Sequence, residues 1–498
     1  MPPDWRGCDV SLTRHILTSS AQLTLANALA RALGIISLPL LTHWLSPDAY
    51  GQAALASTLM SLVSVIGLMG MDMSYARSYL SRTAPNGPLV EVFCWRFALV
   101  AAVVAGFAAA FAWLLHVARD ASALSIMACW IVVGVAGSLL LAMAQTRSRL
   151  HNQHARLAVA VAVGGVVATA ITLCLARWCL PDERALVTGY VIAYVLPVCI
   201  IGLPALGRLR MPSGLSSVAR KSVFLVGVPG VVTAPMYWIL ASSDRWFLQA
   251  STDASMVGVY SVASTFGQLG MMVNSALLAI WLPEATRLHE SDDSETAAAT
   301  IGGLISRLIL VMMVVWLGVG ILGGDLLRWL SDGRFHRGAA VVPWIATAVF
   351  FYGCYHLANT GLFLGRRLKV SAGVWALVGT ASLCANALLV PRFGMLAAAC
   401  VQCVTFGILA AAVLVFSQKY HPIQFPTRRL AVAFAIAVSG LVIGVGLPEA
   451  IDLVTGLERV AFVAAVSLLL VATLAPELGR RGMRILSSRN ASDEGLPK

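Results

Sequence analysis

Apolar residues run through this chain in stretches of about 20, each closed by a short polar break. A stretch of that length crosses the hydrocarbon core of a bilayer, because 20 helical residues rising 1.5 Å each cover about 30 Å. The breaks place predicted spans at 16–45, 53–75, 93–116, 122–145, 155–177, 185–207, 222–248, 257–283, 298–324, 339–364, 369–390, 394–417, 428–448 and 457–475. The first and seventh are long enough to tilt or to begin as interfacial helices. The expected fold class is therefore all-α, a polytopic membrane protein of about fourteen transmembrane helices.

Composition agrees with this reading. Charged residues are 12% of the 498 positions, about half of what a soluble domain needs to cover its surface. The opening stretch, MPPDWRGCDVSLTRH, has no small-residue cleavage site after a short apolar core, so the first span is expected to be retained.

Orientation follows from the basic residues. With the N-terminus inside, 25 of the 35 Lys and Arg fall on the cytoplasmic side, nine on the other, and Arg31 inside a span. The positive-inside bias then puts both termini in the cytoplasm. The outward segment 325–337, with Arg328, Arg334 and Arg337, runs against it. The net charge of +12 expresses the same bias and an affinity for anionic lipid heads, and calls for no nucleic acid.

Sites for bound groups are scarce. Cys400-Val-Gln-Cys403 lies mid-span without a second pair, and His151 and His154 stand in a basic loop without an acidic partner. Neither spacing makes a metal site, so no metal and no cofactor are expected. There is no GxxxxGK[ST] loop, no Ser-His-Asp set and no extramembrane segment able to fold as a catalytic domain. The expectation is a protein that is not an enzyme and has no catalytic residues.

A weak internal repeat is present. Gly51 and Ala56-Ser-Thr58 recur as Gly258 and Ala263-Ser-Thr265 at an offset of 207. Arg96-Phe-Ala-Leu-Val100 resembles Arg307-Leu-Ile-Leu-Val311, and Arg147-Ser-Arg-Leu150 resembles Gly365-Arg-Arg-Leu368. The offset corresponds to six spans, an even number, so both copies run the same way through the membrane. This is a parallel repeat about an axis along the membrane normal. The expected domains are an N-terminal six-helix lobe over 1–210, a second over 211–418, and a helix pair with a basic tail over 419–498.

Polar residues within the spans are costly and ask for a reason. Thr24, Asn27 and Arg31 recur on one face of the first span. Arg31 could snorkel, pair with a buried carboxylate, or face a substrate. Asp72 follows Ser57, Ser61 and Ser64 on one stripe of span 2, a spacing that also suits close helix packing. Asp244 and Arg245, adjacent at the end of span 7, point about 100° apart and need not pair. They suit a structural link or a gating or coupling role. Gln268 lies on the polar stripe of span 8 with Ser261, Ser264 and Ser275. In span 10, Tyr352, His356 and Asn359 lie a turn apart, with Tyr355 beside them. Rings plus amides suit sugars, and equally an aromatic helix contact.

Several of these residues carry a family resemblance. Leu45-Ser-Pro-Asp-Ala-Tyr-Gly51 resembles the L-x-P-x-x-Y-G signature of Wzx-type oligosaccharide flippases. Asp244-Arg245 after a long seventh span, Gly258-x-Tyr260 opening the eighth, and the basic ends of spans 4 and 10 are similar too. The family belongs to the multidrug/oligosaccharidyl-lipid/polysaccharide exporter (MOP) superfamily, and the resemblance covers essentially the whole chain. It implies a two-lobed bundle in the bacterial inner membrane. By alternating access, that bundle would flip polyprenyl-diphosphate-linked oligosaccharide repeat units to the periplasmic leaflet for exopolysaccharide synthesis. Its partners would be that lipid-linked oligosaccharide, membrane lipids, and the polysaccharide polymerase and export machinery. Under this reading Arg31, Asn27, Thr24, Gln268, Tyr352, His356 and Asn359 bind substrate, while Asp72, Asp244 and Arg245 serve gating or coupling. The alternatives are a cation-coupled multidrug exporter of the same superfamily, which would favour buried carboxylates, and a membrane polymerase or ligase.

Overall fold

The predicted runs fold as helices. The computed structural model describes residues 32–80, 87–117, 124–202, 234–291, 294–365, 367–420, 425–448 and 453–474, with isolated positions between these stretches. Along them run α1 (Ala32–Trp44), α2 (Pro47–Leu68), α3 (Met71–Leu80), α4 (Gly87–Val117), α5 (Leu124–Leu150), α6 (His154–Cys174) and α7 (Glu183–Ile201). There follow α8 (234–242), α9 (Asp244–Ser251), α10 (Ala254–Gly267), α11 (Gly270–Ser291), α12 (Ser294–Leu330), α13 (Val342–Leu364), α14 (Leu368–Tyr420), α15 (Thr427–Gly446) and α16 (Leu453–Leu474). Among the described residues no strand occurs.

Ten of the described helices are long and apolar enough to cross a membrane, or eleven if the bent pair α10–α11 is one span. That count does not reach the expected fourteen. Parts of expected spans 1 and 7, residues 16–25 and 224–233, lie outside the described residues. α14 is counted once, although its 53 residues would make a rod of about 80 Å, far longer than the bilayer is thick. Gly394, at φ +62° and ψ −143°, breaks it just after Pro391. The break falls between expected spans 11 and 12, where a left-handed φ favours glycine.

Span 7, expected over 222–248, is divided at Ser243 between α8 and α9, and two further expected spans are interrupted. Span 2 was expected over 53–75, but α2 ends at Leu68, and Met69 and Gly70 take positive φ of 47° and 65° before α3 starts. Asp72 therefore begins a new helix and does not continue the stripe of Ser57, Ser61 and Ser64. Span 8 was expected to be continuous over 257–283; instead α10 and α11 meet at 47°. Gln268 lies at that break, where the Met271 N–H donates to its carbonyl (2.9 Å) and Met272 N–H to that of Leu269 (3.2 Å), keeping the backbone paired.

The chain divides into two units. The first comprises Met1–Val262, Leu330–Arg337 and Ala372–Thr405. In it α4 and α5 pack as one antiparallel pair and α6 and α7 as another, with α2 against α4, α5 and α7. Small residues allow the close approach, as where Gly134 meets Met60 and Gly137 meets Val195. α4 turns Val100, Val104, Phe107, Phe111 and Leu115 outward, a helical stripe of apolar residues suited to lipid rather than water.

In the same unit the motif around Pro47 acquires a local cause. Ser46 caps α2 by accepting from the Ala49 N–H (3.1 Å), Pro47 takes the first helical position, and Asp48 stands at the positive end of the helix dipole. One arginine of the basic segment that ran against the charge bias also has a local role. Arg334 donates to the carbonyl oxygens of Thr42 (3.0 Å) and His43 (3.4 Å) at the end of α1, so it caps a helix C-terminus.

The second unit comprises Ala263–Trp329, Gly338–Ser371 and Phe406–Lys498. Trp316 of α12 stacks on Phe350 of α13 (centroids 4.6 Å apart) and Phe434 of α15 (6.0 Å), and its indole N–H donates to Thr347 Oγ1 (2.8 Å). α16 joins this core through charge. Arg459, buried, donates to Asp325 of α12 (2.6 Å) and to the Gly444 carbonyl of α15 (2.9 Å).

Candidate functional site

Each unit contains a polar cluster built from residues that the sequence marks. In the first unit the cluster lies between the start of α9 and the middle of α10. Asp244 accepts from the Tyr260 hydroxyl and from the Arg245 backbone N–H (2.9 Å). The sequence left pairing of the two adjacent charges open, and they do pair: Arg245 Nη1 reaches Asp244 Oδ1 at 3.5 Å, because the long arginine side chain folds back over the turn. Arg245 also donates to Ser261 Oγ (3.3 Å) and the Ala241 carbonyl (3.2 Å), and lies 5.6 Å from the Tyr260 ring centroid. Both side chains are buried. The geometry is a closed bracket joining the two helices, with its charges matched inside it.

Beside this bracket the first copy of the repeat touches the second. A Cβ added at Gly51 would meet the Ala254 carbonyl oxygen at 1.7 Å, and one added at Gly258 would meet that of Pro47 at 1.8 Å. Pro47 and Ala254, like Gly51 and Gly258, are 207 positions apart. The contact is therefore reciprocal, as a local two-fold relation between repeat-equivalent helix starts requires. Two indoles extend the contact: Trp246 donates to Thr58 Oγ1 (3.1 Å) and Trp238 to Ser61 Oγ (2.9 Å). Ser64 donates to the Val135 carbonyl (3.3 Å). The serines of α2 thus join helices.

In the second unit, α13 presents an aromatic and amide face. Tyr352 meets His356 edge-on at 4.6 Å, Phe406 at 5.4 Å, and Tyr355 in a stacked arrangement at 6.2 Å. Tyr355 lies within 3.4 Å of Ser371 Oγ through its hydroxyl. Asn359, one turn beyond His356, has a buried amide oxygen with no hydrogen-bond partner among the described residues. That combination of ring faces and an unmatched acceptor suits a hydroxyl-rich ligand.

Of the other marked residues, Thr24, Asn27 and Arg31 lie outside the described residues. Asp72 is half-buried in the first turn of α3. Gln268 sits at the α10–α11 break, also half-buried. His151, expected to have no acidic partner, lies 3.4 Å from Glu91, which also binds Arg147 at 2.8 Å. Sequence reasoning missed the Asp325–Arg459 pair. Its signal was parity: in the fourteen-span scheme, span 9 ends and span 14 begins on the same side of the membrane, each with a charge of opposite sign.

Comparison with known proteins places this architecture. A family model described as a polysaccharide biosynthesis protein matches residues 40–323. Among solved structures, a mutant of the Vibrio cholerae MATE transporter VcmN is similar at a TM-score of 0.56 and 11% identity, over 82% of this chain and 97% of that one. An inward-facing multidrug resistance MATE family transporter of the MOP superfamily gives 0.57 at 11%, over 82% and 97%. A MOP superfamily transporter from Pyrococcus furiosus, described as having a binding pocket of reverse polarity, gives 0.53 at 10%, over 81% and 95%. No curated protein matches the sequence. The solved structures share the fold, and the family match spans more than half of the sequence, so the chain belongs to the polysaccharide biosynthesis protein family and has a MATE-like transporter fold.

Proposed function

We propose that the protein is a Wzx-type flippase, which turns polyprenyl-diphosphate-linked oligosaccharide repeat units from the cytoplasmic to the periplasmic leaflet for exopolysaccharide synthesis. A finer resemblance, to the flippase of xanthan biosynthesis, agrees with that product class. The face of α13 carries the reading: Tyr352, His356 and the unmatched amide oxygen of Asn359 offer ring faces and an acceptor to sugar hydroxyls. Arg31 supplies the cation for the diphosphate, which a guanidinium binds with two parallel hydrogen bonds. Thr24 and Asn27, placed with it by their spacing in the sequence, would assist, and Gln268 adds an amide at the break in the eighth span. Lobes 1–210 and 211–418 rock against one another, with both termini in the cytoplasm and residues 419–498 as an added pair. Asp244 and Arg245 maintain the bracket between α9 and α10 through the cycle, and Asp72 stands at the start of a short helix that such motion can tilt.

A cation-coupled drug exporter is the second reading. It would be favoured by a buried acid left available to a cation. Among the described residues the buried carboxylates are Asp244 and Asp325, and an arginine matches each.

Arg31→Ala, at normal expression, is expected to lower polymer export at least about tenfold, with Arg31→Lys intermediate because it keeps charge but loses the bidentate geometry. Export at the normal level in Arg31→Ala would remove the headgroup assignment. For the function as a whole, a deletion strain should leave lipid-linked repeat units inaccessible to a periplasmic probe. Units still reached from outside would exclude flipping as the activity.

A further inference from the structure

The second unit holds a cavity of about 380 Å³ between α12, α13, the later part of α14 and the start of α15. Its wall is apolar almost throughout, with Phe351, Cys354, Leu414, Phe425 and Phe434 among the lining residues and Thr427 as the one hydroxyl. The stack of Trp316 with Phe350 and Phe434 backs this wall, so the cavity is preformed rather than opened by a ligand. Ala411, Leu414 and Thr427 are exposed at its rim. Nothing in the proposed flipping cycle uses it.

What stands beside the rim is basic. Arg428 and Arg429 follow Thr427 directly in the first turn of α15 and are exposed, as is Lys419 near the end of α14. Arg367 lies 5.4 Å from the ring centroid of Tyr420. No Asp or Glu occurs between Asp332 and Glu449, so the segments that enclose the cavity from α13 to α15 bring no acid to balance these cations. An apolar slot with a cationic rim matches an amphiphile with one hydrocarbon chain buried and an anionic head outside.

We propose that this cavity binds an anionic phospholipid, with one acyl chain in the slot and the phosphate on Arg428 and Arg429. A zwitterionic lipid would fill the slot equally but leave the arginines without a net countercharge. Binding therefore discriminates by head charge, and it occupies a place on the protein separate from the proposed sugar-binding face of α13.

The test is native mass spectrometry of the purified full chain, equilibrated with equimolar dioleoylphosphatidylglycerol and dioleoylphosphatidylcholine and then stripped with detergent. The wild type should retain one phosphatidylglycerol. Arg428→Gln with Arg429→Gln should bind it about 30-fold more weakly, from about 1 kcal/mol per basic residue. Arg428→Lys with Arg429→Lys should retain it, and Ala411→Trp, which fills the slot from its exposed rim, should lose it. Equal retention of both lipids, undiminished retention in the double glutamine variant, or displacement by polyprenyl phosphate at an equal concentration would overturn the assignment. Because the arginines are exposed, their replacement tests the site without disturbing the core.

Discussion

Replacing Arg459 with alanine is expected to cost about 3–5 kcal/mol of stability, although the residue lies in a terminal helix far along the sequence from any marked motif. Asp325 is 3% exposed and Arg459 5%, so neither side chain can recover its interactions from solvent when the other is removed. The remaining neighbour of Asp325 with a positive charge, Arg328, reaches it only at 3.4 Å from a side chain that is itself 30% exposed. The Gly444 carbonyl would lose its donor as well. α16 would then lack its ionic link to α12, and its packing through Phe462, Val466 and Leu470 would have to hold it alone. Thermal unfolding in detergent should show a lower midpoint for Arg459→Ala than for wild type. Replacing both partners, Asp325→Leu with Arg459→Met, should restore most of the loss, because an apolar pair of similar volume avoids burying charge at all. An unchanged midpoint in the single variant would show that the pair does not anchor α16.

That pair also marks a limit of what the sequence conveys. The helices were legible because hydrocarbon allows little besides a run of apolar residues with every backbone group paired inside it. The end of span 11 was legible for a similar reason, since Pro391 and Gly394 leave a helix little choice. The breaks at Met69-Gly70 and at Gln268 were not. Neither contains proline, and an apolar run reads the same whether the helix continues or bends. Pairwise chemistry was less legible still. His151 and Glu91 are 60 positions apart, and Asp325 and Arg459 134, so their contacts depend on which helix faces which. At Asp244 and Arg245 helical geometry left pairing open, and the reach of a long arginine side chain decides it. The face of α13 came through well because its residues share one helix, so their spacing alone puts them side by side. For Thr24, Asn27 and Arg31 the sequence remains the source of the assignment.

The second large effect is expected at the crossing of α2 and α10. Gly51→Val and Gly258→Val should each destabilise the protein by about 1–3 kcal/mol or more, the range for overpacking a filled interior. The obstacle in both cases is backbone: a new Cβ would come within 1.8 Å or less of a carbonyl oxygen in the facing helix, and a backbone atom cannot swing aside as a long side chain does. The helices would have to separate, which also strains the hydrogen bonds from Trp246 to Thr58 and from Trp238 to Ser61. Because the two glycines sit in one reciprocal contact, the separation forced by the first valine makes room for the second. The double variant should therefore cost clearly less than the sum of the singles. Gly303→Ala and Gly318→Ala are the matched controls, since a Cβ at either position meets nothing within 4 Å. They should be neutral or stabilise their helix by up to about 1 kcal/mol. Unfolding midpoints across the four single variants and the double would decide it. Strict additivity would mean that Gly51 and Gly258 sit in two independent contacts, and the local two-fold relation between the repeats would lose its strongest structural support.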